Sequence, residues 1–158
     1  MQIGLVEAKR IDEAWPHVVE WIDSAFEYSI HNEMNSGELY VEIRKGRYLL
    51  LVVGDLDGPI ERRLRGCAVL GLSDKDSGRP LVSMMAVGGV DVETWLDLLF
   101  ATVKGIAVHA NARRIIAMGR PGWVRKMARF NVKHRASVFA YDLTAQDLLG
   151  DREMQGSA

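Results

Sequence analysis

Apolar side chains recur at Ile11, Ala14, Trp15, Val18, Val19, Ile22, Ala25 and Phe26. That alternation of three- and four-residue steps places them on one stripe of a helix. Asp12 is the expected N-cap, and Pro16 is tolerable because it lies near the helix start, where few backbone donors have partners. Residues 3–8 ahead of it read as a first strand. Serine, glycine and asparagine between 29 and 37 break the pattern, and 38–45 predicts a short second helix. The run Tyr48-Leu49-Leu50-Leu51-Val52-Val53 is continuously apolar and β-favouring, the composition of a buried strand. A turn at 55–59, a returning strand at 64–72, a second turn at 74–78 and a third strand at 81–87 complete an antiparallel meander that Gly88-Gly89 is expected to end.

The longest periodic element comes next. Asp91 is the expected cap of a helix whose apolar positions are Trp95, Leu98, Leu99, Thr102, Val103, Ile106, Ala107 and Ala110. Its apolar face must cover a sheet. Residues 114–118 then predict a strand, Pro121 suits the first position of a short helix carrying Trp123, Val124 and Met127, and 136–143 predicts a final strand. Residues 144–158 look peripheral. No repeat or linker divides the chain, so one α/β domain over 1–143 is expected.

Composition changes this picture little, but charge does. A chain of 158 residues with 48% hydrophobic and 26% charged residues suits one globular core. No apolar run approaches a membrane span and no signal peptide is evident, so a cytoplasmic protein is expected. Cys67 lies in an apolar run, where a buried, inert thiol is the expectation. The net charge of -1 hides an asymmetry: residues 1–42 hold nine acids against Lys9 and Arg10. Residues 113–135 hold Arg113, Arg114, Arg120, Arg125, Lys126, Arg129, Lys133 and Arg135 with no acid. This basic stretch reads either as a surface for phosphates or an acidic partner, or as a segment that faces the acidic one within the fold or is simply solvated.

The four histidines are scattered without metal-ligand spacing, so no metal site is expected. Ser83 lacks a nucleophile-elbow context, and no phosphate-loop lysine follows a glycine run. His31-Asn32-Glu33 falls in a loop. Trp15 and Trp95 fit core stripes, Trp21 falls off its stripe, and Met84, Met85 and Met118 suit core or cleft walls.

The order of elements, together with Gly119-Arg120-Pro121-Gly122-Trp123 leading into a basic helix, resembles the GNAT acyl-CoA N-acyltransferase superfamily over about 3–143. The Gly-Arg-x-Gly-Trp stretch is similar to small GNAT-like proteins of bacteriophage and prophage genomes. The resemblance implies a mixed α/β fold: a mostly antiparallel twisted sheet with helices on both faces and a central, splayed parallel strand pair. It implies acetyl-CoA or another acyl-CoA as cofactor and a small-molecule or protein amine as acceptor. The cofactor site would comprise Met85, Ala86, Val87, Gly88, Gly89, Arg120 and Trp123, with backbone near 85–87 stabilising an oxyanion. The loop departs from the family's Gln/Arg-x-x-Gly-x-Gly/Ala pattern, keeping two glycines but adding Asp91, which would cap the helix start, and Glu93. Matching Asn131-Val132 to the family's Gly-Phe makes Asn131 a left-handed helix cap and puts Met127 where many members have a proton-donating tyrosine; Tyr141 on the final strand reads either as an alternative proton donor or as half-buried packing. The alternative is a non-catalytic protein of this fold that engages an acidic protein, nucleic acid or virion component through Arg113, Arg125, Lys126 and Arg129.

Overall fold

The computed structural model describes residues 1–27, 34–59, 63–73, 80–119, 121–135, 141 and 143–156, the last six by backbone alone. Strand β1 (Gln2–Val6) and a 3-10 turn (Ala8–Arg10) precede helices α1 (Ile11–Glu27) and α2 (Ser36–Arg44). The meander β2 (Tyr48–Gly54), β3 (Leu64–Ser73) and β4 (Leu81–Gly89) follows. A second 3-10 turn (Val92–Thr94) leads to α3 (Leu96–His109), β5 (Arg114–Ala117), α4 (Gly122–Ala128) and α5 (Ala145–Gly156). The sheet order is β1-β2-β3-β4-β5, antiparallel throughout except for the parallel pair β4-β5.

Both faces of the sheet are covered, which explains the unbroken apolar runs of β2 and β3. Leu50, Val52, Cys67 and Val69 point to one face, under Ile11, Ala14, Val18 and Ile22 of α1 and Leu39 and Ile43 of α2. Leu51, Val53, Ala68 and Leu70 point to the other, under Trp95, Leu96, Leu99, Val103 and Ala107. Each fully buried aliphatic side chain contributes about 1.5–3 kcal/mol.

Strand β4 does not alternate simply. Val69 pairs with Ala86 while the next residue, Leu70, pairs with Met84, so Met85 is an extra residue in β4. This bulge reverses the strand's parity. Met84 joins the α3-side core and Ala86 the α1-side core, although a regular strand would put both on one face.

Several sequence expectations need correction. Asp12 lies inside α1 instead of capping it; the turn at Ala8–Arg10 leads directly into the helix, and the Asp12 carboxylate accepts from Tyr40 Oη and, at 3.4 Å, from Arg44. Helix α2 begins earlier than expected because Asn35 and Glu38 form a reciprocal capping box. Strand β4 continues through Gly88 and Gly89, which pair with Cys67 and Gly66. Met118 is 55% exposed, not a core filler, because β5 ends before it. Asn131 does adopt the left-handed conformation expected of a helix cap, at φ 61°. The expected final strand falls mostly outside the described residues, as does the His31-Asn32-Glu33 loop. Residues Ala145–Gly156 form a helix, α5, which is exposed over 145–150.

Candidate functional site

Strands β4 and β5 stay paired for only four residues, from Leu81–Arg114 to Met84–Ala117. Strand β5 then ends, while β4 runs on to Gly89. Among the described residues nothing pairs with the β5-facing edge of Met85, Ala86, Val87, Gly88 and Gly89. The bulge at Met85 sits where the strands part, so the exposed edge and the strand distortion coincide. Unpaired backbone donors and acceptors along such an edge are a template for an extended, amide-bearing ligand.

Protein atoms fill the Cβ side of both glycines. A Cβ on Gly88 would lie 2.8 Å from the Trp21 carbonyl oxygen and 2.9 Å from Trp21 Cβ. Gly88 is thus the point where α1 rests directly on β4, which also gives the off-stripe Trp21 its role. Gly89 has φ 146°, and a Cβ there would meet the Arg65 carbonyl oxygen at 2.3 Å. Protein atoms already occupy the space that a missing side chain leaves at both positions.

The start of α3 also differs from expectation. Asp91 takes the left-handed conformation at φ 49° and makes no side-chain cap. Its carboxylate pairs with Arg65 across the sheet end, and its carbonyl accepts from Thr94 N and Oγ1 at 2.9 and 2.7 Å. Trp95 is 1% exposed; its Nε1 donates to the Val90 carbonyl at 2.9 Å, and its ring fills the space above Gly66. The turn therefore closes on itself.

The basic helix α4 lies beside this turn. Lys126 Nζ is 3.0 Å from Glu93, and Arg129 is 3.9 Å from Glu93 and 3.4 Å from Asp97. Sequence reasoning noted Glu93 as a negative charge but did not pair it with α4; opposite charges at 93–97 and 125–129 were the available signal. Among the described residues no ion pair joins the basic stretch to the acidic N-terminal segment. Acids of that segment pair with Lys9, Arg10, Arg44, Lys45 and Arg47. Trp123 is half-buried against the α3-side core, with its ring over Gly119 and Lys126 Nζ 5.4 Å from its centroid. Met127 is buried in the same core. Arg120 lies outside the described residues.

Tyr141 is 74% exposed, and its hydroxyl donates to Asp147 at 2.8 Å. Asp147 also accepts from Thr144 N at 2.9 Å, while its own backbone N–H donates to Thr144 Oγ1 at 3.2 Å, a reciprocal cap for α5. The Asp147 hydrogen bond raises the phenol's pKa, and hydrogen bonds from Thr144 and Tyr141 lower that of Asp147. Cys67 is fully buried beneath α1, and burial pushes its thiol up to about 12, away from any thiolate chemistry. A shallow groove of about 300 Å³ between α1 and α2 is lined by Asp12, Trp15, Pro16, Gly37 and Tyr40. Its carboxylate is already engaged by Tyr40 and Arg44. Among the described residues no group of histidine, cysteine and carboxylate side chains could hold a metal ion.

Solved acetyltransferases share this overall fold. A Trypanosoma brucei acetyltransferase superimposes with a TM-score of 0.65 at 14% identity, covering 90% of this chain and 99% of that one. A probable acetyltransferase gives 0.67 at 15% identity, covering 91% and 97%. Glucosamine-6-phosphate N-acetyltransferase from Arabidopsis thaliana gives 0.64 at 8% identity, covering 90% and 98%. The chain has the GNAT fold. No protein-family model and no curated protein sequence matches it. At these identities the likeness is one of backbone architecture, and the GNAT fold alone assigns no chemistry. Five of the six expected strands, the parallel pair and the helices on both faces agree with the sequence expectation, and the sixth falls mostly outside the described residues.

Proposed function

We propose that this protein is an acyltransferase that moves an acetyl or other acyl group from a coenzyme A thioester to an amine. The observation that carries the reading is the open edge of β4 beyond Met84, where β5 has ended. Its backbone, unpaired among the described residues, suits the two amides of a pantetheine arm, and protein atoms fill the Cβ side of Gly88 and Gly89. The arm would lie along β4, with the cations of α4 as candidates for the phosphate end.

When bound, an acyl-CoA would supply a thioester carbonyl open to attack by an amine. Backbone N–H groups around the Met85 bulge would orient that carbonyl and stabilise the negative charge developing on its oxygen. Trp123 would wall one side, Arg120 is the remaining cation candidate on the lip after β5, and Tyr141 is the candidate proton donor. Release of Tyr141 from Asp147 would be required for that role. The solved relatives named for amino sugars make an amine the leading acceptor class. A cytoplasmic location follows from the cofactor, and among the described residues no helix is long and apolar enough to cross a membrane.

Transfer of labelled acetyl from acetyl-CoA across a panel of amines, with a thermal shift on adding CoA, tests the reading. No incorporation together with no shift sinks it. A second reading, a binding protein of phage or prophage origin, is favoured by the exposure of Arg113, Arg125, Lys126 and Arg129. Its mark would be a salt-sensitive complex with an acidic partner that is lost when Arg125, Lys126 and Arg129 are reversed to glutamate.

A further inference from the structure

The charges around the parted strands do not occupy arbitrary positions. Glu93 and Asp97 lie in the segment that follows β4, Lys126 in the helix that follows β5 and Arg129 at the C-cap of that helix. Their ion pairs, at 3.0, 3.4 and 3.9 Å, tie together what comes after the two strands that separate. All four side chains are 44–74% exposed, so each pair is screened by solvent and weak.

The cations also have supports that do not depend on the carboxylates. Lys126 Nζ sits 5.4 Å from the Trp123 ring centroid, and the Arg129 guanidinium 4.8 Å from that of Phe130. Phe130 in turn stacks on Phe100 of α3 at 4.6 Å. An ammonium and a guanidinium held over aromatic faces keep their places if the carboxylates leave. A diphosphate offers more charge and more acceptor oxygens than two exposed carboxylates, and a guanidinium can grip it with two parallel hydrogen bonds.

We infer that Lys126 and Arg129 are the phosphate ligands of the acyl donor, and that Glu93 and Asp97 occupy them until an anion displaces the carboxylates. This rests on the acyltransferase reading and moves the phosphate site from the glycines of β4 to helix α4. The carboxylates act as a gate on affinity: a ligand without a strong anion leaves the two segments tied, and a diphosphate exchanges for them.

Calorimetric titration with inorganic pyrophosphate tests the exchange without any turnover. Removing both carboxylates, in Glu93→Gln/Asp97→Asn, should tighten pyrophosphate binding about ten-fold, each exposed charge accounting for about two- to five-fold. Lys126→Ala/Arg129→Ala should weaken it about ten- to a hundred-fold, as expected for lost hydrogen bonds to a charged group. Lys126→Gln, which keeps the stem over Trp123, should weaken it in the same direction and guards against a packing artefact. Unchanged affinity in Glu93→Gln/Asp97→Asn, undiminished affinity in the lysine and arginine variants, or no pyrophosphate binding by any of them at millimolar concentration overturns the exchange. Acyl-pantetheine, which lacks the diphosphate, separates the two readings. Acyl transfer from it without pyrophosphate binding would leave the acyltransferase reading standing and remove the exchange. Pyrophosphate binding with the expected variant pattern, but no acyl transfer from any donor, would do the reverse.

Discussion

Replacing Gly88 by alanine separates packing from ligand binding at the centre of the candidate site. The new Cβ would stand 2.8 Å from the Trp21 carbonyl oxygen, 2.9 Å from Trp21 Cβ and 3.2 Å from its carbonyl carbon. Two of these three atoms are backbone and the third is a Cβ, so no side-chain rotation relieves the contact. Helix α1 must move off the sheet, and α1 carries Ile11, Ala14, Val18 and Ile22 into the core. Overpacking of this kind costs about 1–3 kcal/mol. For a chain of this size that corresponds to a fall in Tm of about 2–12 °C. Gly122→Ala is the matched control, because a Cβ there meets nothing within 4 Å and the residue opens α4. It should be neutral or stabilising by up to about 1 kcal/mol. The assay is urea and thermal denaturation of both variants followed by circular dichroism. A Gly88→Ala protein melting with the wild type, yet unable to bind CoA, would show that the glycine serves a ligand and refute the packing argument.

Deleting Met85 removes the bulge, so residues 86–89 exchange faces relative to 81–84, and a protein that no longer folds cooperatively is the expected result; Met85→Leu should cost less than about 1.5 kcal/mol. A sharp, native-like melt for the deletion would count against the bulge's role. Cys67 should resist thiol reagents in the native protein and react only on unfolding. Burial pushes its folded pKa up to about 12 from an ordinary value of 9.0, so the thiol's contribution to stability is intact below pH 9 and falls by about 1.4 kcal/mol per pH unit up to 12. Cys67→Ala, compared with wild type over that range, should lack this part of the alkaline loss. Asp147→Asn should bring the Tyr141 phenol titration down toward its ordinary value, read by ultraviolet absorbance, since the Asp147 hydrogen bond is the main cause of its elevation. Because Asp147 is itself held low, its contribution to the α5 cap should be full above the ordinary carboxylate range and be lost as pH falls below that range, through the depressed Asp147 pKa; helicity unchanged in strong acid would contradict that cap.

Local sequence carried most of the architecture. The 11–26 stripe, the apolar runs of β2 and β3 and the periodicity of α3 each follow from a period that one chain segment displays by itself. The left-handed Asn131 was legible for the same reason, since cap chemistry is local. The candidate site was less legible. Val87-Gly88-Gly89-Val90-Asp91 reads as a strand end, a loop and a helix cap, but Gly88 and Gly89 remain in the ladder because their partners, Cys67 and Gly66, lie about twenty residues earlier. Asp91 turns away from the helix because Arg65, on a neighbouring strand, competes for its carboxylate.

The alternation of apolar residues determined which segments are strands and helices. Where β4 loses its neighbour, which way its side chains face beyond Met85, and which acids meet the bases of α4 were decided only in three dimensions. A bulge depends on registry between two strands, and an ion pair on the approach of two helices. Neither leaves a period in the chain that carries it.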